Sequence, residues 1–222
     1  FPSVGATENI MLAAVSAKGT TIITNAAREP EIVDLQNFLC RMGVKVEGGG
    51  TSTVRIDGCE RCYGVDYTIM PDRIAAGTYL TCCGTAGGNV LLKDVVPTHM
   101  TSMISILENM GAKIRHDKNS IYMTAPKKLK SFGTIRTMPY PGFPTDSQAI
   151  IMAMLATANG TSVITEKIFE NRFRYAGELI RLGAKIRVDG RMAVIEGTES
   201  LTGASVIASD LRGGASLVLA GL

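Results

Sequence analysis

The chain reads as an α/β protein built from one module used repeatedly. Apolar helical patterns alternate with short strand patterns rich in Val, Ile and Thr. Gly-Thr turns recur between a helix and the strand after it, at Gly19-Thr20 and Gly160-Thr161. A glycine stops the second helix of each copy, at Gly43, Gly111 and Gly183, with spacings of 68 and 72 residues.

In the first copy, the apolar helix Ile10–Val15 leads through Gly19-Thr20 to the strand Thr21-Ile22-Ile23. A helix over Glu31–Met42 follows and ends at Gly43, before strands Val44–Val46 and Ser52–Ile56. The second copy runs from Ile74 through Cys83 to the strand Asn89–Leu92. Its later helix, His99–Met110, stops at Gly111 before Ala112-Lys113-Ile114. The third copy has a helix over Gln148–Ala158, the strand Thr161–Ile164, a helix near Tyr175–Leu182 and the strand after Gly183. A fourth begins at Asp210-Leu211-Arg212 and reaches Ala220. A period near 70 residues exceeds that of ordinary solenoid units. It fits a βαβαββ-like module, and since such modules cannot bury their apolar faces alone, they are expected to share cores. Both ends of the chain read as cuts through a larger protein.

At 222 residues and 45% hydrophobic positions, the chain can bury one good core or two small ones, and two domains are expected. No apolar run reaches the roughly 18 residues of a membrane span, and no charged leader opens the chain, so a soluble protein is expected. The net charge of +3 comes from 23 basic and 20 acidic residues, well mixed. The one basic cluster, Lys127-Lys128-Leu129-Lys130, reads as a solvated loop rather than a nucleic-acid patch. Five cysteines make no disulfide framework. Cys59-x-x-Cys62 lacks the second pair of a zinc site, and Cys40, Cys82 and Cys83 read as small buried hydrophobes. His99 and His116 stand alone, so no metal cluster or nucleophile–histidine–acid set is expected.

Three module starts carry an acid at a helix entry: Asp72, Asp146 and Asp210. Each suits an N-cap, where a carboxylate accepts from unpaired backbone N–H groups. Asp146 stands apart, because Pro141-Gly142-Phe143-Pro144 fixes an unusual approach to its helix. A carboxylate held there could position or deprotonate a sugar hydroxyl. Arg172 falls between a strand and a helix, and could be a turn residue or a bidentate clamp for phosphate or carboxylate; Arg212, at the last module's entry, is a second clamp candidate. Ser3-Val4-Gly5 precedes a helix whose N–H groups could receive a diphosphate, although serine is also a common cap.

These residues carry a family resemblance. Ala26–Asp34, Pro144-Thr145-Asp146 with Gln148-Ala149, Thr165–Phe173 and Asp210-Leu211-Arg212 together resemble the UDP-N-acetylglucosamine enolpyruvyl transferases, over essentially the whole chain. Within them, Ile168-Phe169-Glu170-Asn171-Arg172-Phe173 is the most specific stretch. The resemblance implies an inside-out α/β barrel fold of the enolpyruvyl transferase type, incomplete here. Residues 1–70 would be the last repeat of one domain and residues 71–222 most of the other.

The implied reaction moves the enolpyruvyl group of phosphoenolpyruvate to the 3-hydroxyl of UDP-N-acetylglucosamine and releases phosphate, through a tetrahedral intermediate. That is the first committed step of peptidoglycan synthesis, in the cytoplasm, with no cofactor or metal. Carried over by position, Asp146 contacts and deprotonates the hydroxyl, and Arg172 and Arg212 are active-site arginines, Arg212 toward phosphoenolpyruvate. Ser3, Val4 and Gly5 line the diphosphate, and Ile168 contacts the nucleotide sugar through its backbone. The family's lysine–asparagine pair, its mobile loop with a reactive cysteine or aspartate, and further arginines have no match in residues 1–222. The segments flanking this chain in the parent protein are therefore expected partners, and the chain alone is expected to be inactive. The shikimate enolpyruvyl transferases and a non-catalytic UDP-sugar-binding module remain alternatives; neither nucleic acid nor membrane is an expected partner.

Overall fold

The computed structural model describes residues 1–222. Two compact units divide them, one of residues 1–70 with 139–141, the other of residues 71–138 with 142–222.

In the first unit the order is α1 (Val4–Ala14), β1 (Thr20–Thr24), α2 (Pro30–Arg41), β2 (Lys45–Glu47) and β3 (Thr53–Asp57). The strands form an antiparallel sheet in the order β1-β3-β2, so the last strand to be made lies in the middle. Alternate residues of β3, Val54 and Ile56, are buried with Met11, Ile32 and Leu39 in one core, as the two-residue period of a half-buried strand requires.

The second unit repeats that plan twice. One copy is α3 (Arg73–Ala86), β4 (Gly88–Lys93), a 3₁₀ turn over Pro97–Met100 with α4 (Thr101–Asn109), β5 (Lys113–His116) and β6 (Ser120–Ala125). After β7 (Thr134–Arg136), the next copy is α5 (Gln148–Leu155), β8 (Thr161–Thr165), α6 (Ala176–Arg181), β9 (Lys185–Asp189) and β10 (Met192–Glu196); α7 (Leu211–Ala220) follows. The sheet orders β4-β6-β5 and β8-β10-β9 match the first unit's, and β7 adds to the last sheet parallel to β8. β7–α5–β8 is thus a parallel crossover, and this copy alone among the three shows the whole βαβαββ order. The three residues of β7 are too short a pattern to read as a strand from sequence.

None of the three sheets closes on itself, so within residues 1–222 the expected barrel is a set of open sheets. The reason is visible in the packing. Each sheet takes its strands from one module, and within the second unit the modules join through their first helices, with α3, α5 and α7 packed on one another. Every residue of α5 is buried, which its sequence Gln-Ala-Ile-Ile-Met-Ala-Met-Leu permits on all sides. The shared core runs from Ala76 to Leu219. Threonines tolerate this burial in α3 because the hydroxyls of Thr78, Thr81 and Thr85 donate to carbonyls four residues back.

The second helix of each module ends in the same hydrogen-bonded motif. Gly43, Gly111 and Gly183 have φ of 95°, 105° and 88°. Their N–H groups donate three residues back, to Cys40, Glu108 and Ile180, while Val44, Ala112 and Ala184 donate five residues back, to Leu39, Leu107 and Leu179. This is the Schellman closure, and it demands the left-handed conformation that glycine adopts freely.

The cysteines differ from expectation. Cys83 is buried, but Cys40 is exposed and Cys82 only half-buried, because the apolar stripe of α2 falls on Ile32 and Leu39 and leaves Cys40 on its rim.

A glycine of a second kind sets the position of α7. A Cβ at Gly213 would lie 2.6 Å from the Cβ of Tyr175 and 3.2 Å from Asp210 Oδ1, so only the missing side chain lets the helix start approach Tyr175. Gly213→Ala is expected to cost about 1–3 kcal/mol of stability by overpacking. Gly111→Ala meets nothing closer than Pro126 at 3.8 Å and isolates the backbone term, about 1–2 kcal/mol. Urea denaturation of each variant checks both values, and an unchanged midpoint for Gly111→Ala would refute the conformational argument.

Candidate functional site

The helix starts divide into two kinds. Ser3 Oγ accepts from Ala6 N–H at 3.2 Å, Asp72 accepts from Ile74 and Ala75, and Asp210 accepts from Gly213 at 2.6 Å, so α1, α3 and α7 are capped by their own side chains. α5 has no side-chain cap. It is entered through a 3₁₀ turn, Thr145–Ser147, which turns Asp146 out of the capping position assigned to such residues. Pro144, at φ −70° and ψ 136°, makes the extended entry to that turn.

The Asp146 carboxylate is held instead by two arginines. Its Oδ1 accepts from Arg172 Nη2 at 2.7 Å and its Oδ2 from Arg212 Nη2 at 3.0 Å. The side chains of Asp146, Arg172 and Arg212 are 37%, 21% and 36% exposed, so the cluster is reachable from solvent. The Arg172 guanidinium also lies 4.8 Å from the Phe169 ring centroid. Each guanidinium carries five N–H donors, and the bond to Asp146 uses one of them. An anionic ligand could take up the others without breaking the pairs.

Three elements converge on this cluster. Asp146 precedes α5, Arg172 sits in the connection between β8 and α6, and Arg212 is in the first turn of α7. A buried carboxylate that sequence reading gave no role ties two of them together. Glu166 Oε1 accepts from the Thr137 hydroxyl at 2.8 Å and from the N–H groups of Ile168 and Phe169 at 2.8 and 3.1 Å. Its Oε2 accepts from the Thr145 hydroxyl at 2.8 Å. Lys167 N–H donates in turn to Thr137 Oγ1. The network thereby fixes the residue before Asp146 and the start of the loop that carries Arg172. A strand-period signal was available, since Ser162, Ile164 and Glu166 alternate on the buried side, as do Ile135 and Thr137.

Behind the cluster, the Tyr175 hydroxyl donates to Gln148 Oε1 at 2.7 Å inside the core. Burial, with the charge of Glu166 second, pushes this phenol well above its ordinary range, so it stays a neutral donor.

The structure brings Asp146, Arg172 and Arg212 together and places Ile168 in the same loop, its N–H already given to Glu166. Ser3, Val4 and Gly5 belong to the first unit. There Ser3 is the cap, and Val4 and Gly5 lie within the first turn of α1 rather than before it, since Thr7 N–H already closes on the Ser3 carbonyl. First-turn N–H groups have no partners within their helix, so these two keep their donor character. No three His, Cys, Asp or Glu side chains gather into a metal-binding group.

Comparison with known proteins gives this geometry its setting. The chain is 54% identical over 222 residues to UDP-N-acetylglucosamine 1-carboxyvinyltransferase 1 of Caldanaerobacter subterraneus subsp. tengcongensis, covering all of this chain and 53% of that protein. It is 55% identical over 224 residues to UDP-N-acetylglucosamine 1-carboxyvinyltransferase 2 of Carboxydothermus hydrogenoformans, with coverage of 100% and 53%. The chain thus spans about half the length of these relatives. Among solved structures, the enolpyruvyl transferase NikO from Streptomyces tendae matches with a TM-score of 0.82 at 26% identity, over 97% of this chain and 52% of that one. EPSP synthase from Acinetobacter baumannii matches in fold with a TM-score of 0.73 at 24% identity, over 100% and 54%. The α/β arrangement of separate sheets is therefore of the enolpyruvyl transferase type. Residues 1–222 match the family of EPSP synthase (3-phosphoshikimate 1-carboxyvinyltransferase) along their whole length, and the chain belongs to that family.

Proposed function

We propose that the protein containing this chain transfers the enolpyruvyl group of phosphoenolpyruvate to the 3-hydroxyl of UDP-N-acetylglucosamine, the entry step of peptidoglycan synthesis in the cytoplasm. The observation that carries the reading is the Asp146 carboxylate shared by Arg172 and Arg212, in a chain more than half identical to UDP-N-acetylglucosamine carboxyvinyltransferases. Consistent with the location, no helix is long and apolar enough to cross a membrane.

In this reading Asp146 takes the proton of the sugar hydroxyl as its oxygen attacks C2 of phosphoenolpyruvate. A proton delivered to the methylene carbon completes the addition. Loss of a proton from that carbon and departure of phosphate then restore the double bond, now on the sugar ether. Arg172 and Arg212 supply the donors for the carboxylate and phosphate of the donor substrate, with Arg212 the nearer to it. The first-turn N–H groups of Val4 and Gly5, with Ser3, would receive the diphosphate, and the Ile168 backbone the nucleotide sugar. Residues 1–70 would be the last repeat of one domain and residues 71–222 most of a second, each completed as an inside-out barrel by the rest of the protein. The division of contacts after Met70 and the shared core of α3, α5 and α7 support that assignment. The lysine–asparagine pair and the catalytic loop would come from outside this chain.

The family description favours one other acceptor, 3-phosphoshikimate. Phosphate release by the longer protein distinguishes the two: release is expected with phosphoenolpyruvate plus UDP-N-acetylglucosamine, and release that needs shikimate-3-phosphate would overturn the reading. Asp146→Ala is expected to lower kcat by about 10²-fold or more, and unchanged turnover would remove the general-base assignment. Glu166→Gln places an amide where four donors now converge, so kcat is expected to fall about ten-fold while the fold persists. Wild-type turnover in that variant would show that the Glu166 network is structural alone.

A further inference from the structure

Cys59 and Cys62 have no part in the transfer reaction, yet their sulfurs lie 3.4 Å apart and both are free thiols. They stand in the segment that follows β3 and runs without helix or strand to Asp72. Backbone hydrogen bonds hold this segment on both sides of the pair. Gly58 N–H donates to Gly19 at 2.9 Å, Cys59 N–H to Val15 at 2.8 Å, and Tyr63 N–H to Met42 at 3.0 Å. A Cβ at Gly58 would fall 1.8 Å from the Ala17 carbonyl oxygen, so the chain lies flat against the end of α1 there. Both cysteines pack half-buried on the core of the first unit. Two sulfurs without a third ligand do not make a zinc site.

We propose that Cys59 and Cys62 form a redox-active dithiol, which closes to an intramolecular disulfide by exchange with a low-molecular-weight disulfide. The sulfurs need approach by only about 1.4 Å to reach bonding distance. Either sulfur can be the donor in the contact between them, and the exchange can open at either thiol, as at Cys59. Its thiolate, having lost a proton to solvent, attacks one sulfur of the small disulfide. A mixed disulfide forms, and one small thiolate leaves. Cys62 then loses its proton to solvent and attacks the Cys59 sulfur, expelling the second small thiolate. Two protein thiols are oxidised and one small disulfide is reduced to two thiols.

The other cysteines are internal controls. Cys40 is exposed, and the partner of its Sγ is the Val46 carbonyl at 3.4 Å rather than a second thiol, so exchange there stops at a mixed disulfide. Cys82 and Cys83 are neighbours on a helix, where consecutive side chains do not face each other.

Equilibration of the protein with glutathione disulfide, followed by acid quenching, alkylation and peptide mass mapping, tests the proposal. The peptide holding Cys59 and Cys62 is expected to lose two hydrogens and carry no glutathione under conditions that place glutathione on Cys40. Dithiothreitol should restore both thiols. Cys62→Ser and Cys59→Ser should each stop at a glutathione adduct on the cysteine that remains. Free thiols at both positions when Cys40 is fully modified, or two separate glutathione adducts, would overturn it.

Discussion

The burial of α5 on every side is the constraint from which the second unit follows. A helix with no exposed face cannot lie on a surface, so α3 and α7 must cover it and the sheets must take the outside. Its entry, the turn carrying Asp146, then comes up where α7 begins and where the β8–α6 connection passes. The two arginines reach the carboxylate because their elements are packed against the helix it precedes. The ion pairs are a product of the core as much as of the charges. Their worth to stability is small at this exposure, so their value lies in aiming the guanidiniums.

The repeat is most regular where it is structural, and it breaks at the site. β1 and β4 are each followed by a residue with positive φ, Asn25 and Asp94, both exposed. At the matching place after β8 stands Glu166, fully buried and bonded to four donors. The connection it opens, residues 166–175, is longer than residues 25–29 of the first module and brings in Arg172. The helix starts differ in the same way, with a side-chain cap on α1, α3 and α7 and none on α5. One copy of the module has given up its local rules at two places, and the clustered charges lie between them.

Much of this was legible in the sequence. The helices, the stopping glycines and the strands of each module are local patterns, and local hydrogen bonding enforces them. Asp146, Arg172 and Arg212 were singled out by type and position, although only packing puts residues 26 and 66 positions apart on one carboxylate. β7 escaped because its partner strand lies 29 residues away and three residues carry no period. Glu166 lies two residues before the most specific stretch, but a buried acid announces itself only through strand alternation. Reading Cys40 as buried failed because an apolar neighbourhood in sequence is not an apolar face of a helix.

Two guanidiniums on one carboxylate leave the trio with one positive charge in excess, partly open to water. Such a cluster is an anion exchanger in miniature. Its net positive charge favours anions, toward which free guanidinium donors are already aimed, and disfavours cations. Its reach extends about one Debye length, roughly 8 Å at physiological salt, so ionic strength acts on how fast the anion arrives rather than on how the site is built.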